Sequence, residues 1–278
     1  MAEEFAIESL IEAVESALPR PRGLMLLINT PGGGLSSSYK VARALRKSFD
    51  TIRVFVPHMA ASGGTLVTLA GNEIIMGLMS NLGPLDPQIM YFGGRISARC
   101  VADAFQRYSE LFRTMRPEEA PYPYRAMVDK LDPLLMEQWA GLAYTSMEYI
   151  QDILRLTGYD AKFAEELSRA LVFNFTSHEF VLEPDYLRKL GVPIKDPSDY
   201  PHEWRIMRYW LGKYFLEGAP MHHIRFAIPQ TNSEGERMSG GELSPHSEAR
   251  AAQPLAAAAG ESALGEEVIA HGQRRRHE

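Results

Sequence analysis

Phe5, Ile7, Leu10, Ile11, Val14 and Leu18 recur at close to helical spacing and predict an amphipathic helix over Phe5 to Leu18, ended by Pro19 and Pro21. The pattern then changes. Leu24-Met25-Leu26-Leu27-Ile28 and Val54-Phe55-Val56 are short continuous apolar runs, with a helical pattern from Ser36 to Ser48 between them. Thr65 to Ala70 predicts a further helix and Glu73 to Met76 a third strand. Apolar strands alternating with helices predict a parallel sheet covered on both faces, the arrangement of an α/β domain. From Ala102 to Leu156 the pattern is mostly helical, interrupted around Pro117 to Pro123. Val192-Pro193-Ile194 marks the end of an element, and Trp204 to Phe215 predicts a last helix.

The pattern fades after residue 230. From Thr231 to Glu278 there is no Phe, Tyr or Trp, against 10% aromatic residues overall, and the stretch runs through an Ala-rich segment to Arg274-Arg275-Arg276. Such a stretch buries too little apolar area to offset the entropy of ordering it. A folded domain over 1–230 and a disordered tail over 231–278 are therefore expected. The tail carries 5 Lys/Arg and 8 Asp/Glu, half of the chain's net charge of −6. The composition of the 278 residues, 45% hydrophobic and 23% charged, is that of a globular protein without a basic excess, so no nucleic-acid partner is expected. A single cysteine, Cys100, excludes an intrachain disulfide and a paired-cysteine zinc site. No apolar run reaches the roughly 18 residues of a membrane span, and the acidic start Met1-Ala2-Glu3-Glu4-Phe5 lacks the features of a secretory signal. A cytoplasmic location is the expectation.

Two loops stand where chemistry is placed in open α/β sheets, at the carboxyl ends of strands. In Asn29-Thr30-Pro31-Gly32-Gly33-Gly34, consecutive glycines let the backbone turn and aim N–H groups outward. No Gly-Lys-Ser/Thr follows and no dinucleotide spacing is present, which removes the usual phosphate readings. In Ala60-Ala61-Ser62-Gly63-Gly64-Thr65 a serine sits on a tight turn at the mouth of a helix. Ser62 reads either as an N-cap or as an exposed nucleophile. The pair is more informative than either loop: a hydroxyl beside N–H groups of Gly33 and Gly63 is what acyl transfer requires, because its tetrahedral intermediate carries an oxyanion.

These loops at this spacing, followed by Glu73-Ile74-Ile75-Met76 and Leu82-Gly83-Pro84-Leu85-Asp86-Pro87-Gln88, resemble the Clp protease/crotonase superfamily. Within it the resemblance is to the serine dehydrogenase proteinase family, in the signal peptide peptidase A-like branch. It is dense from Leu24 to Ile89 and thinner to Ile194, with Thr176-Ser177-His178-Glu179 and Leu190-Gly191-Val192-Pro193 as a closing segment. The resemblance implies repeated ββα units with a helical C-terminal part. It also implies Ser62 as nucleophile of a serine peptidase, Gly33 and Gly63 as oxyanion donors, a peptide or protein substrate, a homo-oligomer and no cofactor.

The general base is not fixed by the resemblance. Signal peptide peptidase A relatives use a lysine downstream of the serine and Clp-type peptidases a histidine and an aspartate. Here no Lys stands between Lys47 and Lys130. Lys130, His178 and Asp86 are the candidates for base or orienting group, Asp86 lying close to where the Clp-type histidine would fall. His58 is near Ser62 in sequence, but strand-to-turn geometry is expected to point it elsewhere. His222-His223 are adjacent, face apart and have no third ligand, so no metal site is expected. The aromatic stretch of Tyr122, Tyr124, Trp139, Tyr144 and Tyr149 is expected to pack in a core or between subunits. Two other classes remain open: a catalytically inactive assembly or scaffold protein of the same fold, and an acyl-CoA-handling crotonase relative that needs no nucleophile.

Overall fold

A computed structural model describes residues 2–16, 22–91, 94–116, 133–175 and 177–216, with 119, 122 and 126. By spatial contacts the chain divides into Met1–Ile228 and Pro229–Glu278. The expected tail, Lys130 and His222-His223 lie outside the described residues.

Helix α1 (Ala2–Ser16) buries Ile7 and Val14 of its predicted apolar face. Strand β1 (Gly23–Leu27) leads into α2 (Leu35–Ser48), then β2 (Thr51–Val56), the two-residue strand β3 (Met59–Ala60) and α3 (Gly63–Thr68). Strands β4 (Glu73–Met76) and β5 (Asn81–Leu82) follow. A hairpin of β6 (Gln88–Tyr91) and β7 (Gly94–Ser97) precedes α4 (Ala98–Thr114), α5 (Pro133–Thr157), α6 (Ala161–Phe173), α7 (Pro184–Lys189), β8 (Ile194–Lys195) and α8 (Pro201–Leu216).

The main sheet is parallel, in the order β1-β2-β4-β8. Its central strands are the continuous apolar runs: Val54, Phe55 and Val56 of β2 and Ile74, Ile75 and Met76 of β4 are all buried. β1 is an edge, and its Met25 is half exposed although the run reads as fully apolar. A second row of backbone pairing lies after the main strands. Thr30 pairs in parallel with Ala60, β3 with β5, and Leu82 antiparallel with Leu182. Strands β1, β2 and β4 are thus each followed by a short pairing segment, and after the first two a helix follows: β1, Thr30, α2; then β2, β3, α3. These are the ββα units the resemblance implies.

Helices α2 and α5 pack together and α5 against α6, over a core that includes Leu45, Ile52, Leu66, Ile150, Ile153, Leu154 and Leu167. Trp139 of α5 is buried with Ile89 and Ile96 of the hairpin, which fixes the hairpin to the helical layer. Tyr149 stacks on Tyr39 at 4.0 Å, while Tyr122 and Tyr144 are exposed. Within one chain Trp139 and Tyr149 of the aromatic stretch therefore pack, and Tyr124 lies outside the described residues. Among the described residues no helix is long and apolar enough to cross a membrane.

The sheet is tied at its far end by charge. Arg53 and Glu73 are register partners on β2 and β4, and Arg53 Nε donates to Glu73 Oε2 at 2.6 Å. Tyr200, just before α8, donates its hydroxyl to Glu73 Oε1 at 2.8 Å. The bond from Arg53, then that from Tyr200, holds Glu73 below its ordinary carboxylate value. A carboxylate held below its unfolded value contributes stability above that value and loses it as pH falls through the folded one. Arg53 is partly exposed, so solvent screening limits the contribution to about 1 kcal/mol or less. Glu73→Gln is expected to be less stable than the native chain at pH 7 in urea unfolding, with the difference shrinking as the pH is lowered below about 4. A pH-independent difference would contradict this origin.

Candidate active site

Ser62 stands between β3 and α3 with φ 51° and ψ −123°, and among the described residues it is the non-glycine residue with positive φ. Such a conformation stores about 1–3 kcal/mol and persists only where the surroundings over-determine it. Ser62 occupies the N-cap position of α3, yet its side chain makes no capping hydrogen bond. The N-cap reading of its hydroxyl is thereby corrected: in this conformation the hydroxyl makes no capping hydrogen bond.

The surroundings that hold this turn are backbone. Thr30 N donates to Met59 O and Ala61 N to Thr30 O, each at 3.0 Å, which stitches the first glycine loop alongside the serine turn. Gly32 has φ +113°, and a Cβ placed on it would lie 2.7 Å from Ser62 Cβ and 2.8 Å from Ala61 O. No side chain fits there. Gly64 faces the methyl of Thr30 in the same way, a Cβ on it falling 2.4 Å from Thr30 Cγ2.

A third segment closes the other side. Gly83 packs on Ala61 and Ser62, where a Cβ would meet Ala61 Cα and Ser62 N at 3.2 Å. Thr65, fully buried, accepts from Gly83 N at 3.1 Å, and its hydroxyl lies 2.9 Å from Ala60 O and 2.8 Å from Gly83 O. One hydroxyl proton serves one of those two carbonyls. Thr65 thus clamps the serine turn to the Gly-Pro-Leu-Asp segment, a role that propensity reading, which made it a helix residue, did not reveal.

Neither Gly33 nor Gly63 donates its N–H to a protein acceptor among the described residues. Gly63 is itself buried, and buried N–H groups left without an acceptor are rare. The two residues adjoin, since a Cβ on Gly63 would lie 3.1 Å from Gly33 O and 2.2 Å from Ser38 Oγ. Two backbone N–H groups without a protein acceptor thus belong to adjoining residues where the two loops meet.

Beyond Gly83 the chain meets the closing segment. Leu82 and Leu182 exchange both backbone hydrogen bonds at 3.0 Å in an antiparallel bridge. Asp86 and His178 each stand four residues from that bridge, and they meet. Asp86 Oδ1 is 2.7 Å from His178 Nδ1, with the Asp86 side chain 3% exposed and that of His178 29%. Facing an ionised carboxylate, which only accepts, Nδ1 is the nitrogen that carries a proton, and in the neutral imidazole Nε2 then presents its lone pair. The other carboxylate oxygen, Oδ2, accepts from Gln88 Nε2 at 2.8 Å. Two of the three candidates for base or orienting group are therefore brought together. The third, Lys130, lies outside the described residues, and His58 is exposed with its backbone oxygen accepting from Asn81 N.

The turn that carries His178 is braced. Phe180 N donates to Ser177 O, and Phe175, Phe180 and Tyr186 pack ring on ring around it at 4.8 to 5.8 Å. Arg99, in the first turn of α4, donates to Phe173 O and Phe175 O.

Residues 6–108 match the family model of ClpP-like SDH-type serine proteinases. The match includes Ser62, Asp86 and both glycine loops and ends before His178. Two curated relatives are the uncharacterized proteins MJ0137 and MJ1495 of Methanocaldococcus jannaschii, each 28% identical, over 190 and 188 residues. These matches cover 67% of this chain and 58% and 56% of those proteins. Among solved structures, a serine-to-alanine variant of the 1510-N membrane-bound stomatin-specific protease aligns at 17% identity and a TM-score of 0.43, over 69% of this chain and 71% of that one. A lysine-to-alanine variant of that protease in complex with a substrate peptide aligns at 19% identity and 0.42, over 69% and 67%.

The two glycines of the first loop are not equivalent. Gly32 combines positive φ with a closed contact, whereas a Cβ on Gly33 meets nothing within 4 Å. Gly32→Ala is expected to lose about 1–3 kcal/mol in urea unfolding, and Gly33→Ala to stay within about 0.5 kcal/mol of the native chain. Equal losses would contradict the packing of Gly32 on Ser62.

Proposed function

We propose that the chain is a serine peptidase in which Ser62 is the nucleophile, His178 the general base and Asp86 the group that orients it. The single observation that carries the base assignment is the 2.7 Å contact between His178 Nδ1 and Asp86 Oδ1, on a segment clamped to the serine turn through Thr65 and Gly83. Serine is a weak nucleophile until a neighbouring base takes its proton. A histidine whose Nδ1 proton is engaged by a buried carboxylate has Nε2 free for that task, and the carboxylate stabilises the imidazolium that forms.

In this reading Ser62 Oγ adds to the carbonyl carbon of the scissile peptide bond while His178 Nε2 takes the hydroxyl proton. The carbonyl oxygen becomes an oxyanion and receives hydrogen bonds from Gly33 N–H and Gly63 N–H. Collapse breaks the carbon–nitrogen bond, and the imidazolium returns the proton to the leaving amine. Water then adds to the acyl-serine with His178 again as base, releasing the acid and restoring the hydroxyl. Asp86 stands close to where the resemblance places the Clp-type histidine, and in this reading the histidine comes from the closing segment instead. A peptide or protein substrate, a homo-oligomer and a cytoplasmic location belong to the same proposal.

Ser62→Ala, His178→Ala and Asp86→Asn are the variants that test it, read by labelling of the purified full chain with a fluorophosphonate and by hydrolysis of a peptide ester. Labelling is expected to vanish in Ser62→Ala. In the other two, ester hydrolysis is expected to fall by about 10³-fold or more. Full activity in His178→Ala, with loss in Lys130→Ala, would transfer the base to Lys130.

A further inference from the structure

Asp86 has two carboxylate oxygens and one imidazole to face. Rotation about its terminal torsion is broad and two-fold, so a single hydrogen bond to His178 leaves the plane of the carboxylate weakly defined. The second oxygen is also almost wholly buried with the side chain, and a buried carboxylate oxygen without a donor is costly. Gln88 Nε2 supplies that donor at 2.8 Å.

The placing of Gln88 follows from its neighbours. Pro87 restricts Asp86 to extended backbone, and residues two apart on extended chain project to the same side. Asp86 and Gln88 therefore present their side chains together. Gln88 opens β6, where it is the register partner of Ser97. Ser97 caps α4 by accepting from Arg99 N, and the Arg99 side chain holds the carbonyls of Phe173 and Phe175 just before His178. A closed circuit of contacts thus runs from Asp86 through Gln88, the hairpin and α4 back to the turn that carries His178. The hairpin is fixed in turn by Trp139.

We infer that Gln88 is a positioning residue: its amide fixes the Asp86 carboxylate so that Oδ1 addresses His178 Nδ1, and it acts on the reaction only through that pair. The inference rests on the reading of His178 and Asp86 as base and orienting group. Gln88 touches neither Ser62 nor the glycine N–H groups in any hydrogen bond of the described residues. Its removal is expected to alter the chemical step and leave binding alone.

The test follows fluorophosphonate inactivation of the full chain, separating the maximal rate from the half-saturating concentration, in the native protein, His178→Ala and Gln88→Met. The methionine keeps the length and loses the donor. The expected result is a maximal rate lowered about tenfold in Gln88→Met at unchanged half-saturation and unchanged circular dichroism. With it, the downfield proton NMR resonance of His178 Nδ1–H should move or broaden. Gln88→Asn, which keeps an amide but withdraws it by one methylene, serves if the methionine variant does not fold, and its rate is expected between the two. A native rate in Gln88→Met, with His178→Ala slowed, overturns the role of Gln88 alone. So does a lowered rate with the Nδ1–H resonance unmoved, which marks a general structural effect. A native rate in His178→Ala overturns the base assignment and the inference with it.

Discussion

The close approach of the first glycine loop to the serine turn is the constraint on which the site depends. Ser62 holds a backbone conformation that a free chain avoids, and it does so because Thr30 pairs with Met59 and Ala61 on one side while Gly83 packs on the other. Gly32 lies against Ser62 with no room for a side chain between them. This packing does two things at once. It holds Ser62 where its hydroxyl makes no capping hydrogen bond, and it leaves the Gly33 and Gly63 N–H groups without protein acceptors among the described residues. Strain at one residue and unused donors at two others are unfavourable taken singly, and their occurrence in adjoining loops is what supports the proposed nucleophile and oxyanion donors.

Much of this was legible in the sequence because the relevant signals are local. The buried strands β2 and β4 are continuous apolar runs, and their predicted ends fall within a few residues of the observed ones. The glycine loops announce themselves through composition. The two-residue strands β3 and β5 were not legible, since their pairing is made by backbone and needs no apolar pattern. The hairpin β6–β7 was missed for a different reason: Ile89 and Ile96 alternate with Met90 and Arg95 over too few residues to establish a period. Helix α6 falls between the helical pattern that ends at Leu156 and the closing segment that begins at Thr176, a stretch assigned no element.

The pairing of Asp86 with His178 was the least accessible feature. Each residue is recognisable as a candidate on its own, but 92 positions separate them. Their meeting depends on long-range contacts, the bridge of Leu82 with Leu182 and the bond from Leu85 N to Leu171 O among them, which no single-residue property encodes. Thr65 and Gln88 were passed over because one reads as an ordinary helix residue and the other only as the end of a motif. The signal that points to them is that both stand within the two motifs themselves, Ser-Gly-Gly-Thr and Asp-Pro-Gln. Polar groups at opposite ends of β2 also differ in kind. Arg53, Glu73 and Tyr200 share partly exposed charge and tie strands to α8, whereas Asp86 is buried with both oxygens engaged. The first is a structural tie near the surface, and the second is an arrangement that orients one imidazole.

The most direct measurement of the central claim is a crystal structure of the full chain after reaction with a peptidyl fluorophosphonate. The account predicts phosphorus bonded to Ser62 Oγ, the phosphoryl oxygen within hydrogen-bond distance of both Gly33 N and Gly63 N, and His178 Nε2 directed at the adduct with Asp86 still on Nδ1. An adduct whose phosphoryl oxygen faces solvent, or one approached by Lys130 in place of His178, would contradict it.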